Sequence, residues 1–166
     1  MPIVESVLII TVFIVGASIL ISTVKLGISP MPSSKKAYQA MVSLVDETGN
    51  GPIYDLGSGW GNLIFRLAKA YPERQIVGYE LSYFPYLFTT VIKSILGLHN
   101  LAIYRENFLE ADISNASVLT CYLFPAAMEN LATKLAKEKG EVDFVISNNF
   151  ALPSHQADKV LKLTDF

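Results

Sequence analysis

Apolar runs alternate with helix-spaced apolar stripes along most of this chain. The first run is the longest. Ser6 to Val24 holds no charged residue and is dominated by Val, Ile and Leu. As a helix it spans roughly 28 Å, close to the thickness of a bilayer's hydrocarbon core. Gly27 to Ser34 follows, and its prolines and serines predict a linker. Ser33 or Ser34 then caps a helix with Tyr38, Met41, Val42 and Val45 on one face, and Gly49-Asn50-Gly51 breaks it.

Beyond that break the period changes repeatedly. Strands are predicted at Ile53 to Leu56, Gln75 to Tyr79, Ala102 to Tyr104, Val118 to Phe124 and Val142 to Ser147. Helices are predicted at Asn62 to Ala70, from Ser82 to Gly97, and at Ala126 to Lys139. Leu87, Val91, Ile92, Ile95 and Leu96 form the expected buried stripe of the second of these. In the third, Met128, Leu131 and Leu135 face inward, Lys134, Lys137 and Glu138 are solvated, and Gly140 is the stop. Strands alternating with helices predict an α/β, doubly wound, mostly parallel sheet. After Ser147 the pattern offers at most one short strand, near Lys159 to Leu163.

Candidate chemistry concentrates where the first strand ends. Asp55-Leu56-Gly57-Ser58-Gly59-Trp60-Gly61-Asn62 places glycines at every second position, and Glu80 ends the next strand. This is how an adenosine-containing cofactor is held at the C-terminal edge of a parallel sheet: glycines admit a tight turn and close approach, and the acid receives ribose hydroxyls. A dinucleotide site wants its third glycine at position 62, which is Asn62 here. Asp55 would repel a pyrophosphate but suits a cofactor with a cationic amino group. Both features favour S-adenosylmethionine over NAD. No Gly-Lys-Ser/Thr follows, which excludes a P-loop.

The chain has 166 residues and a formal net charge of −2, which suits one domain with a sizeable core and gives no support for nucleic-acid binding. Cys121 is the single cysteine, so an intrachain disulfide is excluded; with no basic or histidine neighbour in sequence, it reads as a small buried apolar residue. His99 and His155 lack metal-ligand spacing, and no metal is expected. Glu5 precedes the N-terminal apolar run, and Lys25, Lys35 and Lys36 follow it. The positive-inside rule then puts the N-terminus outside and the rest on the cytoplasmic side, as a single-pass protein of the inner or cytoplasmic membrane. A cleaved signal peptide would have a positive start and a shorter apolar segment. A buried soluble helix is the other alternative. Residues 1–28 are thus expected to be a transmembrane anchor, and 29–166 the cofactor-binding domain.

These features resemble class I, Rossmann-like, S-adenosylmethionine-dependent methyltransferases. More narrowly, the chain is similar to the membrane-anchored protein-lysine methyltransferases that modify the ATP synthase c subunit and the adenine nucleotide translocase, and to their prokaryotic relatives. The likeness runs through Pro30-Met31-Pro32-Ser33-Ser34, the glycine motif, Val77-Gly78-Tyr79-Glu80-Leu81, Phe124-Pro125 with Met128 and Leu131, and Val145-Ile146 with Phe150 and Pro153. It implies that the backbone at Gly57, Ser58, Gly59 and Gly61 approaches the cofactor's methionine portion. Asp55 contacts its amino group and Glu80 its ribose. Leu81 packs on adenine, with Asn107 at the adenine amino edge and Phe108 beside the ring; the bland alternatives are core packing for Leu81 and Phe108 and a turn cap for Asn107. Tyr122, Phe124 and Pro125 line the acceptor channel, with Tyr122 and Phe124 on one side by strand parity, and Asn148 and Asn149 orient the acceptor amine. Packing alone is the alternative for Phe124, and a simple turn for Asn148.

The chain departs from this pattern in three places. Trp60-Gly61 replaces the usual Asp-Gly pair, Asn107 with Glu106 beside it stands where an acid is common, and the hairpin that would complete a seven-stranded sheet is expected to be missing. The expected activity is methyl transfer to a lysine of a membrane-associated protein. The alternatives are a weak or inactive methyltransferase-like module tethered to the membrane and, further off, an NAD-dependent oxidoreductase.

Overall fold

The computed structural model describes residues 3–26, 34–138, 142–153 and 155–163. The chain forms two compact units, Met1–Met31 and Pro32–Phe166. The first unit contains one helix, α1 (Ile3–Leu26). Among the described residues no helix is long and apolar enough to cross a membrane. The segment expected to be an anchor is therefore helical, but it is not established as a membrane span. Most of Gly27 to Ser34, including the Pro30-x-Pro32 stretch, and the helix stop at Lys139-Gly140 lie outside the described residues.

The second unit runs α2 (Lys35–Val45), β1 (Ile53–Leu56), α3 (Asn62–Ala70), β2 (Ile76–Tyr79), α4 (Tyr83–Ile95), β3 (Leu101–Tyr104), β4 (Val118–Cys121), α5 (Pro125–Lys137) and β5 (Phe144–Ser147). The Ser34 side chain caps α2 by accepting the Ala37 N–H at 3.0 Å. All described strand pairs are parallel, in the order β3-β2-β1-β4-β5. The chain leaves β1 to one side for β2 and β3, then returns to the other side for β4 and β5. The C-terminal ends of β1 and β4 thus flank the switch point, where open α/β sheets hold ligands.

Strand alternation splits the core between the two sheet faces. On one face Tyr54, Leu56, Val77, Tyr79, Leu119 and Cys121 pack with Met128 and Leu131 of α5. On the other, Ile53, Ile76, Leu101 and Val118 pack with Met41 and Val45 of α2 and Leu63, Ile64 and Leu67 of α3. Cys121 is fully buried beside Met128, and burial pushes its thiol up to about 12.

Several expectations are corrected. β4 ends at Cys121 rather than Phe124. Its last partner is Ser147, the Asn148 N–H closes the ladder on Cys121 O at 3.0 Å, and Pro125 already occupies the first turn of α5. Strand parity therefore does not extend to Tyr122 and Phe124. β5 begins at Phe144, opposite Val118. No strand forms near 159–163; Lys159 instead pairs with Glu47. Lys134 is buried, because its ammonium donates to Ala111 O at 2.7 Å and Leu109 O at 3.3 Å and pairs with Glu138. It fastens the segment between β3 and β4 onto α5. Finally, most of the apolar stripe of α4 faces outward: Leu87, Val91, Ile95 and Leu96 are exposed, Ile92 is half-buried, and the buried residue of this helix is Thr89.

Candidate active site

The glycine loop leaves β1 by folding over the end of β2. The N–H groups of Gly57 and Ser58 both donate to Tyr79 O, at 3.0 and 2.9 Å. That crossing carries the loop to Glu80, the first residue beyond β2. The Gly59 N–H donates to Glu80 Oε2 at 2.8 Å, and the Ser82 N–H donates to Oε1 at 2.6 Å. Glu80 is buried, with each carboxylate oxygen fixed by one backbone donor and retaining lone-pair capacity for a ligand hydroxyl.

Two of the glycines serve different ends. Gly61 has φ 80°, and a Cβ there would lie 2.6 Å from the Phe65 ring and 2.8 Å from Thr89 Cγ2. Its bareness lets α3 and α4 close on the loop. Gly59 has φ 54°, and a Cβ there would meet nothing within 4 Å. This is the part of the loop that faces open space.

Asp55 sits one residue before the end of β1, almost wholly buried, opposite its register partner Thr120 on β4. The Thr120 hydroxyl donates to Asp55 Oδ1 at 2.8 Å. Burial pushes the Asp55 carboxyl up to about 7; the Thr120 bond works against that rise, and the nearby Glu80 charge adds to it. Beside them, Ser58 Oγ is buried and has no hydrogen-bond partner among the described residues. Asp55, Ser58 and Glu80, with Thr120, thus gather polar groups at the switch point.

The remaining predicted residues fall as follows. Leu81 is exposed just past Glu80. Asn107 caps its own turn: Oδ1 accepts the Leu109 N–H at 3.1 Å and Nδ2 donates to Glu110 at 2.9 Å. Phe108 packs, half-buried, on the α5-side core, as does Phe124. Tyr122 OH accepts from Asn149 Nδ2 at 3.1 Å, which ties the loop after β4 to the loop after β5. Asn149 has φ 73°, a left-handed conformation that Asn tolerates. Asn148 lies in the same turn, where its carbonyl accepts the Phe150 N–H.

Sequence reading missed Thr120 and the Trp60–Phe88 pair, whose rings meet edge to face at 5.3 Å. A threonine within the apolar Val118–Cys121 run was the available signal for the first.

Known proteins share this architecture. A solved RNA methyltransferase from Salinibacter ruber, in complex with S-adenosyl-L-homocysteine, matches with a TM-score of 0.70 at 26% identity, over 80% of this chain and 87% of that one. A precorrin-6y C5,15-methyltransferase from Geobacter metallireducens shares the fold at 10% identity, with a TM-score of 0.61 over 72% of this chain and 64% of that one. The protein is a Rossmann-like methyltransferase that uses S-adenosylmethionine, which sets the NAD alternative aside. More narrowly, it belongs to the family described as the ANTKMT methyltransferase domain, whose model matches residues 55–159. A curated relative from Saccharolobus islandicus (strain REY15A), a protein-lysine N-methyltransferase, is 29% identical over 141 residues, 81% of this chain and 84% of its own.

The residues fit this cofactor. The open side of Gly59, the orphaned Ser58 hydroxyl and two carboxylates at the sheet edge suit a ligand with a cationic amino group and a ribose.

Proposed function

We propose that this chain methylates a lysine side chain of a membrane-associated protein, and that α1 anchors it in the inner or cytoplasmic membrane with the catalytic unit on the cytoplasmic side. The likeness to the Saccharolobus protein-lysine methyltransferase across most of both chains carries the choice of acceptor. The anchor rests on the uncharged Ser6 to Val24 run, on Lys25, Lys35 and Lys36 after it, and on the exposed Ile3, Leu8, Val12 and Phe13 of α1.

When bound, S-adenosylmethionine supplies an electrophilic methyl group on a sulfonium. The chain's own work is holding and aligning. Glu80, oriented by the Gly59 and Ser82 N–H groups, accepts the ribose hydroxyls. Ionised Asp55 receives the amino group, and the loop backbone from Gly57 to Gly61 closes on the methionine portion. Leu81, Asn107 and Phe108 border the adenine, with Asn107 contributing what its turn leaves free. Tyr122, Phe124, Pro125 and Asn148 form the acceptor side. Methyl transfer breaks the C–S bond and forms a C–N bond from the amine lone pair. The acceptor must therefore arrive unprotonated, and its proton leaves to water. An apolar surround that lowers the lysine pKa serves this without a carboxylate base.

The test is labelling of a membrane fraction with radiolabelled S-adenosylmethionine and the full chain, followed by mass spectrometry. Methyl-lysine in a membrane protein is expected, and label found on RNA or lipid instead would overturn the reading. Glu80→Ala should lose cofactor affinity by roughly 10- to 100-fold in calorimetry, the weight of charge-assisted hydrogen bonds.

A further inference from the structure

The turn after β5 carries the one left-handed residue other than glycine among the described residues, Asn149, with φ 73°. The Asn148 carbonyl accepts the Phe150 N–H at 3.1 Å across it, so Asn149 stands at the centre of a three-residue turn. With a positive φ at its centre, such a turn is the rare and strained form. Two further bonds hold it in place. The Asn148 N–H donates to Cys121 O at 3.0 Å, and the Ser147 hydroxyl donates to Phe150 O at 2.6 Å. Glycine would take this backbone more easily. What asparagine adds is a side-chain amide, and strain of this kind points to a use for it.

That amide is pinned at one end. Nδ2 donates to the Tyr122 hydroxyl oxygen at 3.1 Å, across the gap between the loops that follow β4 and β5. An amide is planar, so fixing Nδ2 also fixes the direction of Oδ1, an acceptor with two lone pairs. None of the turn's hydrogen bonds uses Oδ1, and Asn149 is exposed. The glycine loop is close by. Leu123, the neighbour of Tyr122, is buried, and its Cδ2 lies 3.4 Å from where a Cβ on Gly57 would stand. The pinned amide therefore sits at the sheet edge where the cofactor loop presents the methyl group. A lysine nitrogen attacks with its lone pair, so its N–H bonds call for acceptors that leave that pair free. A carboxylate there would hold the amine as its ammonium. A neutral amide oxygen accepts the N–H of the uncharged amine without doing so.

We propose that Asn149 Oδ1 receives an N–H of the acceptor lysine and turns the nitrogen lone pair toward the sulfonium methyl, and that Tyr122 is the positioning residue that holds the amide in this orientation. This deepens the lysine reading above and rests on it for the amine. The nitrogen lone pair forms the C–N bond, the C–S bonding pair stays on sulfur, and the methylated ammonium then gives a proton to water. Asn149 itself carries no proton in the step.

The full chain, carrying carbon-13 at its asparagine side-chain carbonyls, is loaded with S-adenosylhomocysteine in detergent. It is titrated with trifluoroethylamine, an amine that is uncharged near neutral pH, and read by NMR. Asn149→Gly identifies the Asn149 signal by deleting it; glycine suits the positive φ, and calorimetry with S-adenosylhomocysteine checks that the variant is folded. The Asn149 signal is expected to shift with amine in the wild type and to lose that response in Tyr122→Phe. A signal that ignores the amine, or follows it equally in Tyr122→Phe, overturns the proposal. Transfer to the membrane fraction at saturating S-adenosylmethionine gives a second readout. Asn149→Gly should slow it roughly 10- to 100-fold with cofactor affinity unchanged. Asn149→Asp sets a carboxylate beside the amine, which then keeps its proton longer, so the rising limb of the rate should move up by roughly 1–3 pH units. A limb that stays in place marks a purely structural asparagine and also overturns the proposal. Label on RNA or lipid, or no transfer by the wild type, tells against the lysine reading instead, and the NMR titration still decides whether the amide takes an amine.

Discussion

At the scale of single residues, Asp55 makes the site sensitive to pH. Its carboxyl is moved from an ordinary 3.8 to about 7 in the folded chain, chiefly by burial. Between those values the folded state binds more protons than the unfolded one, so this residue's contribution to stability falls as pH rises from about 4 to about 7. On the role proposed for Asp55, cofactor binding runs the other way, because a cationic amino group calls for the ionised form. Affinity for S-adenosylmethionine should therefore climb as pH rises through 7, and Asp55→Asn should flatten that climb in calorimetry across pH. Thr120→Val removes the bond that opposes the rise, so its inflection should move to higher pH, while Thr120→Ser should restore it. That Asp55 and Glu80 lie beside the glycine loop was legible from their distance to the glycines. Thr120 was not, because a residue that acts through a partner on another strand shows itself only once the register is known.

At the scale of elements, the glycine loop is held by fit as much as by sequence. Gly61→Ala combines a left-handed backbone with a Cβ inside the Phe65–Thr89 contact, and should cost roughly 2–4 kcal/mol in denaturant unfolding. Gly59→Ala carries only the backbone strain of ~1–2 kcal/mol, and its main loss should appear as weaker cofactor binding. Lys134→Met would strip the buried carbonyls of Leu109 and Ala111 of their donor and should destabilise the chain by roughly 2–3 kcal/mol in the same measurement. The strands and helices themselves were readable, since their apolar periods differ and Gly and Pro punctuate them. The ends of β4 and β5 were not, because pairing decides where a strand stops. Nor was the inward side of α4: periodicity announces a stripe, and the neighbours decide which way it turns. Lys134 was misjudged for the same reason, since its burial depends on carbonyls some two dozen residues away.

At the scale of the whole molecule, the alternation of periods foretold a doubly wound parallel sheet, and the order β3-β2-β1-β4-β5 puts every polar group of consequence at one edge of it. The two apolar cores lie on either side of that sheet, and β4 belongs to both: Val118 reaches one face while Leu119 and Cys121 reach the other. Cys121 is also the sole sulfhydryl of the chain. A thiol reagent can meet it only when β4, an inner strand, comes away, so the native protein carries its own stopwatch for opening. Alkylation in native buffer should be slow, and should slow further as S-adenosylhomocysteine is added, because a ligand that binds only the closed form stops the clock. The dose that halves the rate would give the affinity for S-adenosylhomocysteine without any acceptor having been found.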